Sequence, residues 1–218
     1  MIVDERLVTF INSFDSGNTP ILDEIEKEAL DSAVPIIRKE MQSFLKFLLA
    51  AQRPMRILEV GTAVGFSAIL MCEYDPVPCE LVTIENYDKR IPIAKENFKR
   101  AEKQSQITLL EGDAMEILPT LEGQFDLIFM DAAKGQYINF FPEIMRLLKN
   151  GGILLSDNVL QDGDVVESHY IVERRNRTIY KRMRDYLFEL THRDDLTTTI
   201  LPVGDGITVS VKNDRANV

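Results

Sequence analysis

Oxygen-bearing side chains follow two apolar runs in the second half of the chain. Phe125–Met130 is followed at once by Asp131, and Gly152–Ser156 is followed by Asp157 and Asn158. Because the carboxyl ends of buried parallel strands meet at one edge of a sheet, we expect Asp131, Asp157 and Asn158 to lie together. Two carboxylates and one amide are oxygen ligands of the kind that Mg²⁺ prefers, and Mn²⁺ accepts the same set. The pattern therefore predicts a hard-metal site.

Lys134 follows Asp131 by three positions, so its amine is expected to share the metal site. A metal that chelates two neighbouring substrate oxygens lowers the pKa of the one that must attack, while an amine accepts the proton or stabilises the oxyanion. The chemistry predicted is in-line transfer of a methyl group to oxygen. Taken singly, Asp157 and Asn158 also fit a turn cap, and Lys134 also fits a solvated helix start.

A glycine turn earlier in the chain predicts a cofactor site beside the metal. Glu59 leads into Gly61-Thr-Ala-Val-Gly65, whose two glycines allow a sharp turn and close backbone approach at a helix N-terminus. The spacing differs from the Gly-x-Gly-x-x-Gly fingerprint of dinucleotide sites, which disfavours NAD.

Acidic residues at the next two strand ends indicate the class of cofactor. Glu85 is placed to accept both hydroxyls of a ribose, and Asp113, in Gly112-Asp-Ala114, to accept the exocyclic amine of adenine. An adenosine without phosphates fits this set, and S-adenosylmethionine is such a molecule. Each feature alone is common in doubly wound sheets; their succession at three consecutive strand ends favours the cofactor.

The elements that must position these residues change character near Pro54. Upstream, apolar residues recur at helical spacing, which predicts helices that include Leu7–Phe14 and Leu22–Leu30 and leaves enough apolar surface for a homodimer contact. Downstream, continuous apolar runs alternate with amphipathic segments, which is typical of a parallel sheet with crossover helices. The predicted parallel strands are Arg56–Val60, Leu81–Glu85, Ile107–Leu110, Leu127–Met130 and Ile153–Leu155.

The C-terminal strands predict an antiparallel closure of the sheet. Thr197–Val203 and Ile207–Val211 flank Gly204-Asp-Gly206, which is a hairpin signal. The whole chain, 1–218, is predicted to be one α/β domain, with a helical extension over about residues 1–50 and a core over about residues 51–212.

Composition limits the class of protein. The 218 residues are 45% hydrophobic and carry a net charge of -10, which disfavours a general nucleic-acid coat protein. We expect no membrane span and no signal peptide, and therefore a cytoplasmic protein. Cys72 and Cys79 are interpreted as reduced thiols packed in the core.

These motifs resemble those of class I, metal-dependent O-methyltransferases of the catechol and caffeoyl-CoA type, over about residues 35–212. The segments that carry the likeness are Glu59–Ser67, Glu85, Gly112–Ala114, Phe129–Lys134 and Ser156–Asn158. The resemblance implies a Rossmann-like, seven-stranded, mostly parallel sheet with an antiparallel last strand, and Mg²⁺ or Mn²⁺ beside S-adenosylmethionine. It also implies that the backbone near Ile37 and the Ser67 hydroxyl hold the methionine carboxylate. The predicted cofactor-binding residues are Ile37, Glu59, Gly61, Ser67, Glu85, Asp113, Ala114 and Asp131.

Within that family the chain is similar to bacterial tRNA 5-hydroxyuridine methyltransferases. The matching segments are Val34–Ile37, Asp131–Tyr137, Asn139–Phe141, Asp157–Leu160, the basic stretch before Met183, and Ile200–Gly206. This likeness implies methylation of 5-hydroxyuridine at the tRNA wobble position to 5-methoxyuridine. The C5 hydroxyl and C4 carbonyl oxygen of that base form a chelatable pair like that of a catechol.

A basic segment gives a second indication of a tRNA substrate. Glu173–Arg184 holds six Lys and Arg residues against one Glu. The cations predicted to share one helical stripe and to contact phosphates are Arg174, Arg177, Lys181 and Arg184. The alternative interpretation is a solvated helix face on an acidic protein.

Two other functions remain open at this level. One is a small-molecule O-methyltransferase acting on catechols or hydroxycinnamoyl-CoA esters. The other is a catalytically silent RNA-binding or scaffold protein that has kept the fold, against which the intact Asp131, Lys134, Asp157 and Asn158 argue. His169 has no evident partner and is assigned no role.

Overall fold

The structure is a computed structural model that describes residues 3–168, 170 and 172–214. It is built around one seven-stranded sheet with the strand order β3-β2-β1-β4-β5-β7-β6. The strands are β1 Arg56–Val60, β2 Glu80–Glu85, β3 Ile107–Glu111, β4 Phe125–Met130, β5 Leu148–Ser156, β6 Leu196–Leu201 and β7 Ile207–Lys212. Among the described residues, every helix is too short or too polar to cross a membrane.

The strand directions confirm the predicted fold. β1 to β5 pair in parallel, and β7 is antiparallel to both β5 and β6. β5 begins earlier than predicted because its first residue, Leu148, pairs with Phe125, and the register then shifts so that Ile153 pairs with Leu127. The polar and glycine residues 149–152 fall in this irregularity and hide the start of the strand from a hydrophobicity pattern.

Helices cover both faces of the sheet. They are α1 Glu5–Asn12, α2 Pro20–Asp31, α3 Lys39–Gln52, α4 Phe66–Tyr74, α5 Ile91–Arg100, α6 Ala114–Ile117, α7 Tyr137–Leu147 and α8 Arg177–His192. α2 to α5 form one apolar core with Ile57 and Leu127, and α6 to α8 form a second with Leu58 and Ile128. Successive strand residues therefore enter opposite cores, which explains why the strands read as continuous apolar runs.

The N-terminal helix leaves its apolar side exposed. α1 buries none of its residues, and Phe10 and Phe14 are 62% and 74% exposed while their rings meet edge to face at 5.1 Å. Leu7 and Ile11 are also about half exposed. The homodimer contact that the sequence suggests for this region stays a prediction.

Gly61 lies where the end of β1 touches the end of β4. Its φ is +107°, and a Cβ added there would overlap the carbonyl oxygen of Asp131. The N–H of Asp131 donates to the carbonyl of Val60 at 3.0 Å, so the two chain segments are already joined. Glycine is therefore required at position 61 by this close approach as well as by the turn.

Gly61→Ala should destabilise the protein much more than Gly151→Ala. Gly151 has a φ of +77°, but an added Cβ would meet no atom within 4 Å. We expect about 1–2 kcal/mol for Gly151→Ala, the cost of left-handed backbone alone, and more than about 3 kcal/mol for Gly61→Ala, which adds a clash. Urea unfolding measures both free energies, and equal losses would contradict the close approach.

Candidate active site

A cavity of about 690 Å³ opens at the carboxyl edge of the sheet. Its size suits a small-molecule or cofactor site. The predicted site residues that line it are Ile37, Gly61, Glu85, Asp113, Ala114, Asp131, Lys134, Asp157 and Asn158. Members of both the predicted metal set and the predicted cofactor set thus line one cleft.

The three predicted metal ligands lie at the ends of β4 and β5. The Asn158 amide nitrogen donates to Oδ1 of Asp131 at 3.1 Å, which leaves its amide oxygen available as a ligand. The Asn158 N–H donates to Oδ1 of Asp157 at 2.7 Å. Asn158 has a φ of +60°, a left-handed conformation that Asn tolerates better than most residues.

The electrostatics of this cluster fit a divalent cation. Burial raises the pKa of Asp131, although Lys134 and the Asn158 amide act to lower it. Burial and then the charge of Asp131 raise the pKa of Asp157, and Asp205 adds to that repulsion. These three carboxylates and the Lys134 ammonium carry a formal charge of -2 when all are ionised. A bound Mg²⁺ or Mn²⁺ would neutralise it.

The ligand set depends on the asparagine. Among the described residues, no three His, Cys, Asp or Glu side chains come together as a metal-binding cluster. Asn158 would therefore supply the third protein ligand beside the carboxylates of Asp131 and Asp157. Three oxygen ligands leave coordination positions for water or substrate, as Mg²⁺ sites commonly do.

Asp205 is a site residue that the sequence analysis missed. Its carboxylate accepts a hydrogen bond from the Lys134 ammonium at 3.1 Å, and its side chain is only 4% exposed. The turn that carries it is fixed to the segment after β5, because Val159 and Leu160 donate to the carbonyls of Gly206 and Asp205. The Gly204-Asp-Gly206 pattern indicated only a hairpin. The signal that could have identified Asp205 as a site residue was the position of this acid in a turn at the carboxyl edge of the sheet.

Glu85 holds the cofactor turn in place. Its carboxylate accepts backbone N–H groups of Ala63, Asn86 and Tyr87 at 2.7, 3.0 and 2.9 Å. A carboxylate accepts about four hydrogen bonds, so these leave capacity for roughly one ribose hydroxyl, whereas the sequence suggested two. Asp113 also has a structural role, because it caps α6 by accepting the N–H of Met115.

Two predicted cofactor residues lie behind the cavity wall. The Ser67 hydroxyl donates to Glu59 at 2.5 Å, and the Thr83 hydroxyl donates to the same carboxylate at 2.6 Å. Neither Glu59 nor Ser67 is among the lining residues. Burial raises the pKa of Glu59 to about 7 even though both hydroxyl bonds lower it. The predicted contact of Ser67 with the methionine carboxylate stays a prediction.

The predicted helical stripe of Arg174, Arg177, Lys181 and Arg184 is wrong at Arg174, whereas the predicted phosphate contacts stay a prediction. α8 begins at Arg177, so Arg174 lies in the turn before the helix. Arg184 donates to the carbonyl of Val165 and to the Tyr180 hydroxyl, and Nε of Arg177 donates to the carbonyl of Val172. The guanidinium groups of Arg177 and Arg184 thus donate to backbone carbonyls of the segment before α8, which need hydrogen-bond partners. His169 lies outside the described residues.

A basic depression nevertheless lies beside the turn Lys134–Gln136, which we call the Lys134 loop. It is lined by Arg177, Thr178, Tyr180, Lys181, Arg182 and Asp185. Arg182 donates to the carbonyl of Gly135 at 3.0 Å, next to Lys134, and Lys181 is exposed.

Comparisons with known proteins match most of the chain. A family model described as O-methyltransferase matches residues 12–213. A catechol O-methyltransferase of Niastella koreensis is 37% identical over 130 residues, which is 58% of this chain and 59% of that protein. Caffeoyl-CoA O-methyltransferase 1 of Eucalyptus globulus is 31% identical over 179 residues, covering 76% of this chain and 70% of that protein. The SAH-bound crystal structure of Podospora anserina methyltransferase PaMTH1 superposes with a TM-score of 0.87 and 28% identity, covering 96% and 95% of the two chains.

Glu59→Gln should remove a pH-dependent loss of stability. The Glu59 pKa rises from 4.5 to about 7 on folding, so its contribution is fully present below pH 4.5 and is lost as the pH rises through about 7. Over that window wild type should lose on the order of 2–4 kcal/mol relative to Glu59→Gln, which cannot ionise. Urea unfolding of both proteins at acidic and at mildly alkaline pH tests this, and parallel pH profiles would contradict it.

Proposed function

This chain belongs to the O-methyltransferase family, and we propose that it transfers the methyl group of S-adenosylmethionine to one of two adjacent oxygens of its acceptor, with help from a divalent metal. The observation that carries the proposal is the placement of Asp131, Asp157, Asn158 and Lys134 in the cavity that also contains Glu85 and the glycine turn. The SAH bound to PaMTH1 supports the choice of methyl donor.

Different residues of the cavity would hold the cofactor and the metal. Glu85 and the backbone at Gly61 hold the adenosine. Asp131, Asp157 and Asn158 would hold the metal, which supplies positive charge to fix both acceptor oxygens and to lower the pKa of the attacking hydroxyl.

Lys134 acts on the attacking hydroxyl itself. It accepts the hydroxyl proton or stabilises the resulting oxyanion. That oxygen bonds the methyl carbon as the carbon–sulfur bond breaks, and the sulfur keeps the electron pair. Asp205, 3.1 Å from Nζ of Lys134, orients the amine toward the cavity.

The acceptor that the relatives' names support is a small molecule. Catechols and caffeoyl-CoA carry two adjacent oxygens on an aromatic ring, and the proteins named above are a catechol and a caffeoyl-CoA O-methyltransferase. Such a ring can present both oxygens to a metal held by Asp131, Asp157 and Asn158.

A second candidate is 5-hydroxyuridine in tRNA. The basic depression of Arg177, Lys181 and Arg182 beside the Lys134 loop favours an acceptor with phosphates. A tRNA has phosphates and so does a CoA ester, whereas a free catechol has none. The positive charge of the depression therefore favours tRNA and CoA esters over simple catechols as acceptors.

Asp157→Ala should abolish methyl transfer while leaving cofactor affinity nearly unchanged, because the adenosine contacts lie on other strands. We expect activity to fall more than about tenfold, a loss of at least ~1.4 kcal/mol of transition-state stabilisation. Activity with Mg²⁺ and the Kd for SAH by calorimetry are measured together. Asp194→Ala removes an exposed acid elsewhere and is the control. Near-normal activity of Asp157→Ala would refute the ligand assignment.

Arg177→Gln/Lys181→Gln tests the acceptor class. If tRNA is the acceptor, its KM should rise and the slope of its salt dependence should flatten by about 0.7–0.9 for each phosphate that the variant no longer neutralises. The assay compares a catechol, caffeoyl-CoA and tRNA containing 5-hydroxyuridine, and catechol methylation should be unaffected.

The double variant Lys27→Gln/Lys99→Gln loses the same charge from exposed positions on α2 and α5, and so serves as the control. If wild type methylates tRNA and Arg177→Gln/Lys181→Gln leaves the KM and the salt slope for tRNA unchanged, the depression is a solvated face. If only the small molecules are methylated, tRNA is excluded as the acceptor.

A further inference from the structure

The hydroxyl of Tyr137 lies between the two strand ends that carry the predicted metal ligands. Tyr137 is the first residue of α7 and is fully buried. Its hydroxyl oxygen is 3.1 Å from the carbonyl oxygen of Met130, the residue before Asp131, and 3.1 Å from the carbonyl oxygen of Asp157 itself. The hydroxyl therefore bridges β4 and β5 at the point where both leave the sheet.

The same point has a backbone link. The N–H of Asp157 donates to the carbonyl of Met130 at 2.9 Å, which continues the β4–β5 pairing by one residue. Beyond it β4 and β5 have no further backbone pairing with each other among the described residues, so the sheet itself no longer prevents the separation of Asp131 and Asp157. The Tyr137 hydroxyl opposes that separation, because one phenol proton is shared between acceptors on both strands.

The Tyr137 ring is itself held rigidly. It packs edge to face against Tyr186 of α8 at 5.5 Å, and Phe141 packs against the same Tyr186 ring at 5.7 Å. The Tyr186 hydroxyl lies 2.7 Å from Oγ of Ser156, one residue before Asp157. Both phenols belong to one core cluster, but Tyr137 alone of the two contacts the backbone at the ligands.

We propose that Tyr137 is a positioning residue for the metal site: its hydroxyl fixes the spacing of Met130 and Asp157, and thereby the geometry in which Asp131 and Asp157 meet a divalent cation. The inference rests on the metal-assisted function proposed above. Groups that orient metal ligands in this way typically change metal affinity by roughly 10–100-fold when removed.

Tyr137→Phe tests the proposal because it removes the hydroxyl and keeps the ring. In the full-length protein, the Kd for Mn²⁺, measured by calorimetry, should weaken roughly tenfold or more. The Kd for SAH without metal should stay within about twofold, because Glu85 and the glycine turn are untouched. In the metal-free protein, the Asp157 amide should exchange its hydrogen faster, because its acceptor is less well held.

Tyr186→Phe is the matched control. Tyr186 is equally buried in the same cluster, and its hydroxyl contacts a side chain rather than the ligand-bearing backbone. We expect a similar decrease in Tm for both variants but a change in Mn²⁺ affinity of less than about threefold for Tyr186→Phe.

The outcomes separate the two proposals. Unchanged Mn²⁺ affinity in Tyr137→Phe, or an equal loss in Tyr186→Phe, would overturn the positioning role and leave the metal-assisted function standing. Failure of wild type to bind Mn²⁺ or Mg²⁺ would instead contradict that function. In that case, an unchanged hydrogen-exchange rate of the Asp157 amide in Tyr137→Phe would overturn the positioning role of Tyr137 without any metal measurement.

Discussion

The carboxyl ends of β4 and β5 lie side by side, and their register brings two carboxylates together in a buried position. Met130 pairs with Ser156, so the next residue on each strand, Asp131 and Asp157, leaves the sheet at the same level. Burying two like charges is costly unless a cation or hydrogen bonds compensate. Lys134 and the Asn158 amide compensate this negative charge in part, and a divalent metal would suit the negative charge that remains. The close approach at Gly61 joins the cofactor turn to this same point.

The antiparallel last strand gives the site a further acid. β6 runs in the same direction as β1 to β5, so the turn that follows it lies at the carboxyl edge of the sheet. A tight turn is possible there because β7 returns antiparallel, whereas a parallel strand would need a long crossover. Asp205 reaches Lys134 from this turn, and Gly206 allows the turn to pack against Leu160. The direction of one strand therefore decides which side chain pairs with Lys134.

Some of the basic residues of α8 support the structure around the site, and others expose their charge to solvent. Arg182 and Arg184 donate to carbonyls of the Lys134 loop and of the segment after β5, and Tyr186 packs on Tyr137 from the same helix. Lys181, in contrast, is exposed in the basic depression. Arginine carries several donors in a fixed fork and so can bond a carbonyl while part of its charge faces solvent. Contact with a phosphate-bearing acceptor would therefore involve fewer free cations than the basic segment contains.

The sequence by itself determined the strands, the glycine turn and the strand-end acids, because burial on both faces leaves continuous apolar runs and a parallel sheet gathers its carboxyl ends at one edge. Asp131, Lys134 and Asp157 could be predicted for this reason. Only the tertiary structure decided the pairing of Lys134 with Asp205, 71 residues away, and the bridge from Tyr137 to Asp157. Sequence periodicity reports which face of an element is buried, whereas these contacts depend on the direction of the last strand and on how α7 and α8 pack, which involve residues distant in the chain.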